Sequence, residues 1–592
     1  MVALTLAGGV ALRLLLAARG WSHVNSDEAT LGLMVDDILW HGAHPVFLYG
    51  QHYLGSLQAY LAVPFFVMLG PTDAALHTTT TFEVLLFLLA LYAFTRQVYS
   101  SGIAWLTLVL LAPGPEQALF YELRAAAHAQ DTLLFGSLLL LLTCLLLRQR
   151  WSARAKLALN LGIGLAAGLG LWGTFLIMPF IVAAGLALSV EATRRLRPLA
   201  DRRSRLWKQF APLALGAILG SAAFIAGSIA SRGVFLGEIL AANGTETIQS
   251  APAALLSHLL ALGQQGAGTF FLSLPHLLGS GEVCVNCPLW PMPGSNPAPA
   301  EVWRAALISA LFSLVALMVW LIAARPCVSA TWRAWRGKRQ EAAPDEVSTA
   351  QVLRDTARQW GRAMLVIAAA LTVLEYVITR SSYQTADTST RYLVGLYVCT
   401  PLLADPLWQG SRQVWQWLRA RTSASSAGHV ERSRPRLPAF LAVVLLTCLL
   451  VLNSAGAFLA LGETTDRQGY GVPAGARDRQ LLAFFQTHQI TRFYTTYWVC
   501  NRLMFEAEEQ VACAVVSDDN IFEPGINREP AYISLVAAAP HPAYLFDLTT
   551  NEVAPAMLTQ VAALIVRGDS RFAGYTSIQL TRYVLYYYAG SP

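Results

Sequence analysis

The stretch from Asp131 to Leu147, DTLLFGSLLLLLTCLLL, carries one charged residue, at its first position, and then none. Runs of this kind constrain the fold more than anything else in the chain. About 20 mostly apolar residues are what a helix needs to cross the hydrocarbon of a bilayer. Inside that layer every backbone N–H and C=O must be satisfied within the segment, which a helix does by itself. Candidate spans fall at 2–18, 74–94, 98–114, 131–147, 157–173, 175–191, 210–230, 303–324, 363–379, 391–407 and 438–461, eleven in all. The opening MVALTLAGGVALRLLLAA lacks the charged n-region of a cleaved leader and is expected to be the first span. Composition agrees. The 592 residues are 55% hydrophobic and 13% charged, against about 25% charged in soluble domains. A soluble multidomain reading is excluded on these grounds.

A twelfth apolar run, YLGSLQAYLAVPFFVML at 53–69, is interrupted by Gln58 and Pro64. It is expected to lie at the membrane interface. Loop charge supports that choice, because Lys and Arg concentrate on the cytoplasmic side. With eleven spans and the N-terminus in the cytoplasm, the inner loops hold 26 of the 42 Lys and Arg residues. They include RRLRPLADRRSRLWK at 194–208 and the stretches 325–362 and 412–436. Outer loops up to residue 462 hold Arg19, Arg124, Arg232, Arg304, Arg380 and Arg391. Twelve spans would invert this distribution. The net charge of +6 therefore belongs to inner loops and gives no reason to expect a nucleic-acid partner. The Gly-rich GLAAGLGLWGTF at 164–175 reads as a tight turn between the fifth and sixth spans.

Residues 463–592 are less apolar and mixed in pattern. RQLLAFFQTH (479–488) has helical spacing, RFYTTYW (492–498) is strand-like and VACAVV (511–516) is a short apolar run; AYLFDL (543–548), PAMLTQVAALI (555–565) and YTSIQLTRYVLYYY (575–588) repeat the alternation. The expected architecture is a polytopic α-helical membrane module, 1–462, followed by a small α/β domain outside the cytoplasm. Cys284 with Cys287 and Cys500 with Cys513 would lie in the oxidising compartment, where disulfides are expected. No second Cys or His pair at zinc-ligand spacing accompanies them.

Chemistry concentrates in the outer loop 19–73. HVNSDEATLG, residues 23–32, places Asp27 and Glu28 side by side just after the first span. One reading is a helix start over 27–40, with Asn25 or Ser26 as N-cap and acids in the first turn. The other is a working carboxylate, since charge at a membrane edge is costly unless paired or used. Both can hold. The loop continues with an amphipathic helix, a Gly/His/Pro turn and YGQHYLG, which brings Tyr49, Gln51, His52 and Tyr53 to the same face as a polar, aromatic lid.

In these features the chain resembles the GT-C superfamily of membrane glycosyltransferases, in particular the bacterial branch related to protein mannosyltransferases and lipid A aminoarabinose transferases. The resemblance rests on the DE pair after the first span, the outer loop with juxtamembrane helices, the GAHPVFLYGQHYLG segment, the many spans and the outer C-terminal domain. In motif it covers about residues 1–150 and 380–400; in architecture it covers the chain. It implies transfer of a sugar from a polyprenyl-phosphate donor to a cell-envelope glycan, lipid or protein at the outer membrane face, with inversion and with Asp27 as general base and Glu28 beside it. It also implies an acidic residue from the second outer loop. Asp131 is the best positional match, although Thr132 stands where the family's proline would. That loop, 113–131, adds Glu122, Arg124 and His128, with a Glu122–Arg124 ion pair as the plain alternative. The carrier phosphate needs a cation, and Arg391 followed by Tyr392 matches an Arg-Tyr that family members carry, with Arg380 as alternate. A guanidinium fork suits phosphate; an interfacial anchor is the other reading. No cofactor is expected. No ligand spacing among Asp27, Asp131 and His52 demands a metal, so metal independence is expected. The competing functions are a transporter or flippase of lipid-linked saccharides, which would place polar or broken helices at the midplane, and a non-catalytic presenter of the outer domain.

Overall fold

The computed structural model describes residues 1–126, 129–196, 202–234, 237, 261–278, 321, 325, 346–379, 389–422, 437–462, 474–517, 520–548, 554–580 and 582–590. The predicted span 303–324, Leu321 apart, lies outside these residues, as do His128, Arg380, Cys284, Cys287 and most of the loop 231–302.

Six helices among the described residues are long and apolar enough to cross a membrane: Asp73–Val98, Ala129–Arg148, Ala153–Gly173, Phe175–Arg194, Ala350–Val377 and Leu437–Gly462. Each coincides with a predicted span. Three other predicted spans are not straight helices. The segment predicted at 98–114 is Ser101–Leu111, bent by 81° into Glu116–Leu123. Gly114 at φ +64° and Pro115 at the start of the second helix make the corner. The segment at 210–230 bends by 57° between Phe210–Gly220 and Ala222–Ala230. The segment at 391–407 is a 3-10 helix, Thr390–Cys399, followed by the helix Pro401–Thr422. The first helix, Val2–Ala18, has 17 residues.

The glycine-rich stretch at 164–175 is not a turn as expected. Helix Ala153–Gly173 runs through it and breaks only at Thr174. Its glycines form a contact face instead. A Cβ at Gly164 would lie 2.0 Å from the Leu213 carbonyl oxygen, and one at Gly168 would lie 2.3 Å from that of Ala217. Helix Arg202–Gly220 answers with Gly216 and Gly220 against the same neighbour. Two small-xxx-small faces thus let the backbones touch, the usual route to close packing in lipid.

The outer loop forms helix Ser26–Trp40, then a hairpin of strands β1 (Phe47–Leu48) and β2 (Gln51–Gly55), then helix Leu57–Leu69. Gly50, at φ +69°, turns the hairpin. At 13 residues, with Pro64 inside, Leu57–Leu69 is too short to span, as the interfacial reading expects.

The tail carries helix Ala474–Thr487 and a five-stranded sheet in the order β4-β3-β5-β7-β6. β3 (Arg492–Thr495) pairs in parallel with β4 (Ala512–Val515) and β5 (Ala543–Asp547), while β6 (Tyr575–Leu580) and β7 (Tyr583–Tyr588) form an antiparallel hairpin on β5. Helices Tyr497–Glu506, Ala531–Ala537 and Ala554–Val566 complete it. The predicted disulfide Cys500–Cys513 is formed and ties Tyr497–Glu506 to β4. This α/β unit shares one apolar core with the outer loop. Leu31, Met34, Phe66, Leu481, Leu503 and Phe505 are buried in a single cluster. Gly32 makes the fit possible, since a Cβ there would lie 2.4 Å from the Phe505 ring.

Candidate active site

Asn25 is the N-cap of helix Ser26–Trp40. Its side chain accepts from the Glu28 backbone N–H at 3.0 Å, and the Glu28 carboxylate accepts from the Asn25 N–H at 3.2 Å. This reciprocal capping box fixes the first turn. Neighbouring side chains on a helix diverge by about 100°, so Asp27 and Glu28 meet different partners.

Glu28 is fully buried. It accepts from the Ala125 N–H at 3.0 Å and from Arg124 Nε at 3.4 Å, with His77 Nε2 at 3.8 Å. It therefore joins the first outer loop to the second. Asp27 faces the α/β unit. Its Oδ1 accepts from the Tyr497 hydroxyl and from Arg528 Nη2, the latter at 3.0 Å. Burial, and then the Asp27 charge, push the Tyr497 phenol well above its ordinary value, so it stays a donor. Arg528 also donates from Nε to the Tyr497 oxygen at 2.8 Å. Gln51, with its amide oxygen turned toward the guanidinium, accepts from both terminal nitrogens at 2.8 Å.

Arg391 stands at the start of the 3-10 segment, within electrostatic reach of both Asp27 and Tyr121. Among the described residues it makes one side-chain hydrogen bond, to the Tyr392 hydroxyl at 3.2 Å, and no ion pair. Tyr392 is exposed. Tyr49, in the hairpin turn, donates to Asp37 Oδ2 at 2.7 Å. His52 packs edge-on against Phe47, and Tyr53 is partly buried on β2.

The second outer loop differs from the sequence expectation. Glu122 does not pair with Arg124. It is buried with Arg13 of the first helix, whose Nε donates to it at 3.1 Å and whose Nη1 donates to the Ala112 carbonyl at 2.7 Å. Arg124 turns instead to Glu28 and lies over the Phe120 ring. A charge in lipid needs a partner, and Arg13 has no other acidic neighbour within ion-pair distance among the described residues. Asp131 is fully buried at the start of helix Ala129–Arg148, against Gly173, where an added Cβ would lie 2.6 Å from its Oδ2. Near it, Gln58 donates to Glu83 at 3.2 Å and accepts from the Ala126 N–H at 2.7 Å. Gln130 holds the Tyr121, Glu122 and Arg124 carbonyls.

Asp27, Gln51 and Arg391 thus share one region, Glu28 and Arg124 tie the loops beneath it, and Glu122 and Asp131 are interior. Arg13, Tyr497 and Arg528 escaped the sequence reading. An arginine within the first apolar run was a signal for Arg13. Nothing local could have found Tyr497 or Arg528, which lie about 470 to 500 residues from Asp27. Among the described residues no group of three His, Cys, Asp or Glu side chains could hold a metal ion.

No family model and no curated protein matches the chain. Solved structures do. ArnT from Cupriavidus metallidurans bound to undecaprenyl phosphate superposes with a TM-score of 0.57 and 13% identity, over 100% of this chain and 98% of that one. The apo state of the same protein gives 0.50 and 13%, over 100% and 99%. AglB from Archaeoglobus fulgidus, in complex with an inhibitory peptide and a dolichol-phosphate, gives 13% over 97% of this chain and 72% of that one; its TM-score of 0.45 is too low to bear on the fold. With nearly full mutual coverage and a TM-score of 0.57, the chain shares the fold of ArnT.

Proposed function

We propose that this chain is an integral-membrane glycosyltransferase that uses a polyprenyl-phosphate-linked sugar at the outer face of the membrane. The observation that carries the reading is Asp27. It is a partly exposed carboxylate at the junction of outer loop and α/β unit, with one oxygen held by two donors and Arg391 within electrostatic reach. The fold shared with ArnT, which was solved with undecaprenyl phosphate, supports it. In the reaction an acceptor hydroxyl gives its proton to Asp27 as its oxygen attacks the anomeric carbon. The bond from that carbon to the carrier phosphate breaks, the configuration inverts, and the polyprenyl phosphate leaves with its charge held by Arg391. The acceptor is a glycan, lipid or protein of the cell envelope. The N-terminus lies in the cytoplasm and the α/β unit outside it.

Transfer from a radiolabelled polyprenyl-phosphate sugar in isolated membranes tests this. Asp27→Asn keeps the shape of the side chain but removes the base, so turnover should fall by roughly 10²- to 10⁴-fold. Arg391→Ala should raise the KM for donor more than it lowers kcat. Full activity in Asp27→Asn would end the reading.

A further inference from the structure

Asp27 does not reach its position alone. Its Oδ1 takes both hydrogen bonds, from Tyr497 and Arg528, while Oδ2 has no partner among the described residues. The carboxylate is 27% exposed and Arg528 only 11%. Every N–H of the Arg528 guanidinium is directed. Nε goes to Tyr497 at 2.8 Å, Nη2 to Asp27 and Gln51, and Nη1 to Gln51 and, at a long 3.5 Å, to the Gly50 carbonyl. A guanidinium has five N–H donors in a rigid fork. With all five engaged, none is left for a substrate phosphate. Arg391, by contrast, meets one tyrosine hydroxyl.

We infer that Tyr497 and Arg528 of the α/β unit are positioning residues for Asp27: they occupy Oδ1 and so present Oδ2, in a fixed orientation, as the oxygen that takes the acceptor's proton. This rests on the reading of Asp27 as base. It gives the C-terminal unit a part in the chemistry, because that unit supplies the two groups that orient the reacting carboxylate. Gln51 supports the clamp from the hairpin and Tyr497 is braced by the cation over its ring, with the Arg528 guanidinium carbon 5.2 Å from the ring centre.

The effect of such a clamp is on alignment, where an error of about 1 Å can cost on the order of 10²-fold in rate. Tyr497→Phe removes one donor and keeps the ring. Arg528→Lys keeps the charge and loses the fork. Each should lower kcat by about 10- to 100-fold with little change in donor KM, while the Cys500–Cys513 disulfide still forms and the α/β unit resists protease as in the parent. The decisive measurement places each substitution in the Asp27→Asn background. A residue that acts through Asp27 causes no further loss of the residual activity there, whereas a merely structural one lowers it by the same factor again. An unchanged kcat in Tyr497→Phe and Arg528→Lys, with Asp27→Asn inactive, would overturn the positioning role and leave the base reading standing. A raised kcat would also overturn it, since Arg528 would then be a lock on Asp27. Full activity of Asp27→Asn would remove both.

Discussion

Asp27 and Glu28 are adjacent in sequence, and the capping geometry sends them to opposite tasks. Glu28 lies buried between Asn25, Arg124 and the Ala125 N–H. Glu28→Gln keeps the capping-box acceptor but removes the charge that Arg124 faces. It should cost about 1–3 kcal/mol of stability, visible as a lower thermal midpoint, while the folded fraction keeps its turnover. This separates it from Asp27→Asn, in which turnover falls and stability holds. The cap was legible in the DE pair, and the resemblance named Asp27 as the expected base with Glu28 beside it; what holds Asp27 was not legible, because its partners are a tyrosine and an arginine in a distant segment. A second carboxyl on the same helix gives a pH prediction. Burial, and then the nearby Glu509, Asp37 and Glu508 charges, push Asp36 up to about 7 from the ordinary 3.8. Between those values the folded chain holds a proton that the unfolded chain has lost, so stability falls as pH rises through the window. Asp36→Asn should therefore raise the thermal midpoint at pH 8 and change it less at pH 5. A uniform shift at both would rule this out.

Elements were legible wherever hydrophobic pattern alone decides them. The six long helices coincide with predicted spans; in the tail the run at 479–488 falls in helix Ala474–Thr487 and that at 555–565 in helix Ala554–Val566, while those at 492–498, 511–516, 543–548 and 575–588 supply the strands of one five-stranded sheet. What failed was local chemistry read without its neighbours. Gly164 and Gly168 look like a turn until the glycines of Arg202–Gly220 are laid against them. The corner at Gly114 and Pro115 sits inside what reads as one apolar run, so the bend of 81° was hidden by composition. Gly32 shows the same dependence, for its purpose is visible only in the Phe505 ring it admits. The disulfide was predictable because compartment and proximity in sequence both favour it. Cys500–Cys513 closes a sequence separation of 13, and its removal by Cys500→Ser with Cys513→Ser should cost about 3 kcal/mol in the chain-entropy view. Since helix Tyr497–Glu506 carries Tyr497, protease sensitivity and turnover should decline together as the unit loosens, and a fully active, protease-resistant double variant would refute that coupling.

At the scale of the molecule, the outer loop and the α/β unit are one body. They share an apolar core, the Asn501 side chain donates to Thr30 at 2.7 Å, and Ser26 bonds the Tyr497 carbonyl. Whatever side of the membrane holds Asp27 also holds the tail, so a single sidedness measurement settles both. Loop charge in the sequence argues for the outside, because 26 of 42 basic residues then fall in the cytoplasm. Two positions test it. Val566 is 86% exposed at the end of its helix in the α/β unit. Gln149 is exposed in the turn between helices Ala129–Arg148 and Ala153–Gly173. In a background stripped of thiols that label in the parent chain, Val566→Cys should react with a membrane-impermeant thiol reagent in intact cells. Gln149→Cys should react only after the membrane is opened. The reverse pattern would place Asp27 and Arg391 in the cytoplasm, where nucleotide sugars are at hand and a lipid-linked donor loses its rationale. Labelling of both in intact cells would mean that the helices between them do not carry the chain across an intact bilayer an odd number of times, and the spans would have to be recounted before any site is assigned to a face.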